Sequence, residues 1–365
     1  MADQPNLESL REAIDQIDQE IQRLINERAK CAQQVAEVKQ QESEAPEKVL
    51  YYRPEREAQV LRKVMERNQG PLSQDTVARL FREIMSACLA LEDPMRIAYL
   101  GPEGTFTQAA AIKHFGHAVH SVPQTTIDEV FREVRAGAAN YGVVPVENTT
   151  EGMVNTTLDS FINAPLKICG EVELRIHHHF LVGSATRQES VTRIYSHQQS
   201  LAQCRKWLDA HYPKAERIAV NSNAEAARRL KDEWHAAAIA GEMAAEIYGL
   251  NKLVSNIEDN PDNTTRFLIV GNESVPPSGD DKTSILVSMK NKPGALMELL
   301  RPFEAANISL TRLETRPAPN DKWAYVFFID FEGHEQDQKV AQVLSELENR
   351  AANVKRLGSY PRAVL

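Results

Sequence analysis

The sequence predicts a multidomain protein: an all-α N-terminal domain, a two-lobed α/β middle domain and a smaller α+β domain at the end. Three observations predict it. Residues 7–92 read as helices only, with a three-four apolar spacing from Leu7 to Val38, and short apolar strands alternate with helices after Pro94. A strand-helix-strand-strand-helix-strand order then follows a Pro/Gly-rich stretch at 273–281. A chain of 365 residues suits two or three such domains.

Composition narrows the function. Hydrophobic residues at 42% and charged residues at 25% describe an ordinary water-soluble protein. The net charge of -9 argues against nucleic acid or an anionic membrane as partner. An anionic small molecule would therefore need locally clustered cations. The start MADQPNLESL lacks a basic region and an apolar core, and no apolar run approaches a membrane span. Cys31, Cys88, Cys169 and Cys204 show no metal or disulfide spacing, as expected of reduced thiols in a cytoplasmic protein.

In the first part (1–93), Leu7, Leu10, Ile14, Ile17, Ile21, Leu24, Cys31, Val35 and Val38 form one stripe. A helix from Leu7 to Lys39 would be about 50 Å long. No small domain covers that length, so another chain or the two following helices must bury the stripe. Pro54 suits the first turn of a second helix, and Val77, Leu80, Phe81, Ile84, Cys88 and Leu91 mark a third. Arg28 occupies an apolar slot of the stripe. Arg11 and Lys39 flank it 28 residues apart, which is four heptads. Arg53 and Arg56 crowd the start of the second helix.

Leu10-Arg11, Glu27-Arg28, Lys39, the Pro54-x-Arg56-Glu57 turn and a third helix ending at Glu92 resemble the all-helical class of chorismate mutase. The resemblance implies an intertwined dimer in which Arg11 enters the partner's site. It also implies Arg11 and Arg28 on the substrate's carboxylates, Lys39 on its ether oxygen, and Arg53, Arg56, Glu57, Cys88 and Glu92 lining the same site. Such a pericyclic rearrangement needs no nucleophile and no cofactor; it needs a held geometry and donors where charge grows. Arg53 stands where that family often has aspartate, Cys88 where serine occurs and Glu92 where glutamine occurs.

In the second part (96–272), ligands are expected at the carboxyl ends of the strands. IAYL runs into GPEGTFT with Thr105, GVVPV ends in Glu147-Asn148, RIYS ends in His197, and PDNTTRFLIVG places Thr265 and Arg266 at the mouth of an apolar run. GPEGT lacks the Lys-Ser/Thr ending of a phosphate loop, so nucleotide binding is rejected. His177, His178 and His179 alternate faces on a strand and are not expected to share a metal. GPEGTFT, PVENTTEG, SHQQSLAQC and NTTRF, in order, resemble the motifs of prephenate dehydratase. The resemblance implies a periplasmic-binding-like pair of lobes with the site in the cleft. There it implies Thr265 as the essential residue, with Thr105, Glu147, Asn148, His197, Arg266 and Phe267 around the substrate. Departures are Gln198 for a usual proline and Thr149 for a serine.

A linker is expected at 273–282, and the last part (283–365) reads as ferredoxin-like. KPGALMELL and ETRP resemble the ACT-type regulatory domain. That implies L-phenylalanine as effector, bound by Gly294, Ala295, Leu296, Asn307, Glu314, Thr315 and Arg316 across a subunit interface. Taken whole, the chain resembles the bifunctional chorismate mutase–prephenate dehydratase family. That resemblance implies chorismate and prephenate as substrates, a homodimer or larger homo-oligomer, and no cofactor or metal. Two rival readings stay open: a dehydratase whose helical part only dimerises, and a ligand-sensing regulator.

Overall fold

Helix α1 (Leu7–Glu42) runs for 36 residues with no residue buried. Its stripe is open: Leu10, Ile14, Ile17, Ile21 and Leu24 all stand exposed. The computed structural model describes residues 6–42, 51–289, 292–317 and 325–365. Helix α2 (Pro54–Glu66) begins on its proline, as predicted, and α3 (Gln74–Ala90) begins behind Ser73, whose hydroxyl accepts from the Thr76 amide. The two helices pack together and bury Leu61, Val64 and Ala78. Just before α2, Tyr52 is buried against Phe115 and Tyr141, each 5.4 Å away between ring centres. This contact seats the helical part on the next domain.

The first lobe is a sheet in the order β2-β1-β3-β11-β5, with β4 added to β3. Its strands are β1 (Arg96–Leu100), β2 (His120–Gln124), β3 (Tyr141–Asn148), β4 (Gly152–Met153), β5 (Lys167–Arg175) and β11 (Thr264–Gly271). Helices α4 (Phe106–Phe115), α5 (Ile127–Arg135) and α6 (Asn155–Asn163) cover it. The second lobe is a sheet in the order β10-β6-β9-β7-β8. Its strands are β6 (His179–Val182), β7 (Arg193–His197), β8 (Glu216–Val220), β9 (Ala236–Ala240) and β10 (Asn251–Val254). Its helices are α7 (Gln198–Gln203), α8 (Arg205–His211), α9 (Asn223–Arg229) and α10 (Glu242–Tyr248).

Strand-helix alternation predicts parallel sheets, and both sheets are mixed instead. β11 is antiparallel to β3 and to β5, and β6 is antiparallel to β9 and β10. The cause is the chain path. β5 leads out of the first lobe and β11 leads back into it, so two strands cross the hinge in opposite directions. The FLIV run, within β11, returns the chain to the first lobe.

The last part pairs β12 (Asp281–Ser288), β13 (Leu310–Pro317), β14 (Tyr325–Glu332) and β15 (Asn353–Pro361) in the all-antiparallel order β13-β14-β12-β15. With α11 (Ala295–Ala305) and α12 (Gln338–Arg350), this is the expected ferredoxin-like arrangement. Alternate strand residues face opposite ways. Ile285, Val287, Ile329 and Phe331 pack on α11 and α12. Leu286, Val326, Phe328, Leu357 and Tyr360 join Leu158, Phe161 and Leu166 of the first lobe in one continuous core.

The linker is therefore no free spacer. Val275, Ser278 and Asp281 are buried, Arg62 of α2 reaches the Ser278 carbonyl, and His334 bonds the Val275 carbonyl at 2.8 Å. Backbones meet at Gly358, where an added Cβ would stand 2.4 Å from the Ile168 carbonyl oxygen. No helix among the described residues is long and apolar enough to cross a membrane.

Candidate functional site

The end of β3 meets the start of β11 in register, Thr265 opposite Asn148 and Arg266 opposite Glu147. The Asn148 side chain is held from behind: its Oδ1 accepts from the Thr150 and Glu151 amides at 2.9 and 3.0 Å. Its Nδ2 therefore points forward and donates to Thr265 Oγ1 at 2.7 Å and to Asn263 Oδ1 at 2.9 Å. A threonine hydroxyl that accepts in this way keeps its own proton free to donate elsewhere.

The network continues into the second lobe. Asn263 donates to Gln203 Oε1 at 3.0 Å, and Gln203 and Gln199 both donate to Glu151 at 3.1 Å. Gln203 Oε1 also bonds His178 Nε2 at 2.9 Å. Burial lowers the His178 pKa, and Nε2 is the donor in this bond because the Gln203 amide oxygen only accepts. The Thr265 hydroxyl thus sits at the end of a chain of amides that spans both lobes. Asn263, Gln203, Gln199 and Glu151 escaped the sequence reading, although Asn263 lies in NTTRF and Gln199 and Gln203 in SHQQSLAQC. Motif membership was the signal available.

Two other expected residues cap helices. Thr105 caps α4, accepting from the Gln108 amide and donating to the Leu100 carbonyl at 3.1 Å. His197 caps α7, its Nδ1 accepting from the Gln199 amide at 3.4 Å. Two expectations are corrected. Arg266 turns away from the cleft: Nε bonds Glu171 at 2.8 Å, Nη1 bonds Asp330 at 2.6 Å and Nη2 bonds the Tyr360 hydroxyl at 3.0 Å. Strand alternation forces this, because Thr265 already faces the other way. Phe267 is buried in the lobe core with Phe115, Tyr141 and Val172, and touches no cleft. Glu147 also lies on the Arg266 side of the sheet.

In the helical part, Arg28, Lys39 and Glu92 act on one another. Burial pushes the Glu92 carboxyl above the usual carboxylate range, and the Lys39 and Arg28 charges oppose that rise. Lys39 also reaches the Tyr51 carbonyl at 3.4 Å, and Cys88 is buried on α3. Arg11 is exposed and lies 17 residues before Arg28 on the same helix, about 25 Å along the axis. It cannot reach that group within its own chain. Arg56 is exposed, and Arg53 pairs with Glu55 at 2.6 Å. Glu57 pairs with Arg82 at 3.2 Å, on the side of α2 that meets the first lobe, where burial raises its carboxyl. The registry of Pro54 at N1 turns Glu57 inward with Ala58 and Leu61.

The β13 strand divides the expected effector residues. Glu314 and Arg316 lie in register with Phe328 and Val326, on the face toward the first lobe, while Thr315 lies opposite Phe327 on the helix side. Arg316 is occupied, forking onto Asp159 of α6 at 3.0 and 2.8 Å. Gly294 caps α11 at φ +83°, with Ala295 and the exposed Leu296 after it, and Asn307 holds a left-handed turn at φ 52°.

Family models match the three parts in order: chorismate mutase type II over residues 10–93, prephenate dehydratase over 97–275 and ACT domain over 283–349. A bifunctional chorismate mutase/prephenate dehydratase of Pseudomonas aeruginosa is 64% identical over the whole of both chains. One from Stutzerimonas stutzeri is 64% identical over the same extent. Among solved structures, the prephenate dehydratase of Arthrobacter aurescens in complex with L-Phe is 36% identical with a TM-score of 0.69. That match covers 73% of this chain and 90% of the other. The chain belongs to the bifunctional chorismate mutase/prephenate dehydratase family, an isomerase and a lyase in one polypeptide.

Proposed function

We propose that Thr265 is the donor to the leaving hydroxyl in the dehydratase reaction. Prephenate loses its ring carboxylate as carbon dioxide, and the electrons of that C–C bond enter the ring. The ring C–O bond breaks, and the departing hydroxide must take a proton to leave as water. No base is required, because decarboxylation supplies the electrons. The observation that carries the reading is the 2.7 Å bond from Asn148 to Thr265, with Asn148 oriented by the Thr150 and Glu151 amides. With its oxygen accepting from Asn148, the Thr265 hydroxyl has its proton to offer a substrate. A threonine hydroxyl is a weak acid, so as it gives its proton to the leaving oxygen it takes one from solvent water and ends as the neutral hydroxyl.

For the mutase step we assign Arg28 and Lys39 to the bound dicarboxylate and its ether oxygen, with Glu92 as a neutral donor. Arg11 comes from a second copy of the chain, since its own helix holds it too far away. The open apolar stripe of α1 supports the same homodimer. The chain works in the cytoplasm, and L-phenylalanine bound near Gly294–Leu296 and Thr315 restrains the dehydratase. The test is chorismate alone given to purified protein, with phenylpyruvate expected. Thr265→Ala should then stop at prephenate, with mutase turnover near wild type. Phenylpyruvate formed at the wild-type rate by Thr265→Ala would remove Thr265 from the mechanism.

A further inference from the structure

The guanidinium of Arg312, on β13, is buried between two carboxylates and properly hydrogen-bonded to neither. Its Nη1 stands 3.8 Å from Asp330 Oδ2 and its Nε stands 4.0 Å from Glu147 Oε2, with the side chain 11% exposed. Nη2 meets the Met153 sulfur at 3.0 Å, and Nε has no hydrogen-bond partner among the described residues. Asp330 has little to offer it: Oδ2 already accepts from Arg266 and Oδ1 from Ser284, both at 2.6 Å. The Glu147 carboxylate is half-exposed and accepts no hydrogen bond among the described residues. A buried charged donor without an acceptor is unfavourable. Closing the gap to Glu147 takes a movement of roughly 1 Å.

The position of Glu147 gives that movement a consequence. Registered partners on an antiparallel pair share a face, and successive residues alternate faces. Asn148 and Thr265 therefore lie on one face of the β3–β11 pair, and Glu147 and Arg266 on the other. The second face is covered by the C-terminal module through Arg312, Asp330 and Tyr360. One strand thickness separates the module from the reacting hydroxyl. Arg312 is also two residues before Glu314, on the strand that carries ETRP.

We propose that Arg312 is a positioning residue of the dehydratase site. Through Glu147 it sets the Asn148–Thr265 pair, and displacement of β13 by an effector changes that setting. The inference rests on Thr265 as donor. In the full-length chain, Arg312→Met keeps the apolar stem and removes the charge. The expected result is a fall in dehydratase kcat of about 2- to 30-fold, the range of such couplings. KM for prephenate and mutase turnover stay unchanged, and L-phenylalanine inhibits less. Arg312→Lys restores most of kcat, and adding Glu147→Gln to Arg312→Met lowers kcat no further. Wild-type kcat in Arg312→Met, or effects of the two substitutions that multiply, overturn the proposal. If Arg312→Met does not fold, seen as lost mutase turnover, Glu147→Gln decides alone. The same fall in kcat with weakened inhibition is then expected, and wild-type behaviour overturns the proposal. Thr265→Ala run beside these separates the two readings: if it stays active, the donor assignment fails, whatever Arg312 does.

Discussion

Asn148 donates to Thr265 across 2.7 Å, and the direction of that bond decides what the threonine can do. Asn148 Oδ1 is occupied by two backbone amides, so the side chain has only its NH2 to offer forward. The amide thus orders the hydroxyl and leaves its proton free to donate.

Asn148→Asp keeps the shape and both backbone bonds but reverses this one. A carboxylate can only accept, so the Thr265 proton turns toward residue 148 and away from the leaving group. Dehydratase kcat is expected to fall about 100-fold or more, the usual size of a lost acid or base contribution. Activity should partly return as pH falls toward the ordinary aspartic-acid range near ~3.9, where the new carboxyl regains a proton. Steady-state rates across pH check both effects. A variant with wild-type kcat at neutral pH would show that the direction of the bond is irrelevant.

Glu92 carries the second prediction. Burial raises its carboxyl above the ordinary value, against the pull of Lys39 and Arg28. Only the protonated form can donate to an ether oxygen, so mutase kcat/KM is expected to rise as pH falls from about 8 toward about 5. Glu92→Gln donates at every pH and should flatten the profile while keeping alkaline activity. Matching profiles for the two enzymes would exclude Glu92 as the donor.

Arg316 forks onto Asp159 and so ties the C-terminal module to α6 of the first lobe. The pair is partly exposed, at 23% and 51%, and such pairs contribute about 1 kcal/mol or less. Arg316→Ala should therefore lower stability only slightly. L-phenylalanine should still bind with an unchanged Kd, while its inhibition of the dehydratase weakens. Calorimetric titration beside inhibition kinetics separates these effects. Lost binding would return Arg316 to the effector site.

What the sequence determined by itself is local. The stripe of α1, the start of α2 at Pro54, the strand-helix alternation, the ferredoxin-like order and the four motifs around Thr265 are all readable from spacing and residue type, because periodicity reports which face of an element is apolar. Only the tertiary structure decided which charged groups meet. Arg266 looks like a cleft cation beside Thr265, yet its partners Glu171, Asp330 and Tyr360 lie 95, 64 and 94 residues away in the chain. Glu57 finds Arg82, Arg316 finds Asp159, and Arg312 stands between two domains for the same reason. The place of β11 between β3 and β5 sets the pairings of Arg266, and that place follows from the chain crossing the hinge twice, which no local pattern encodes.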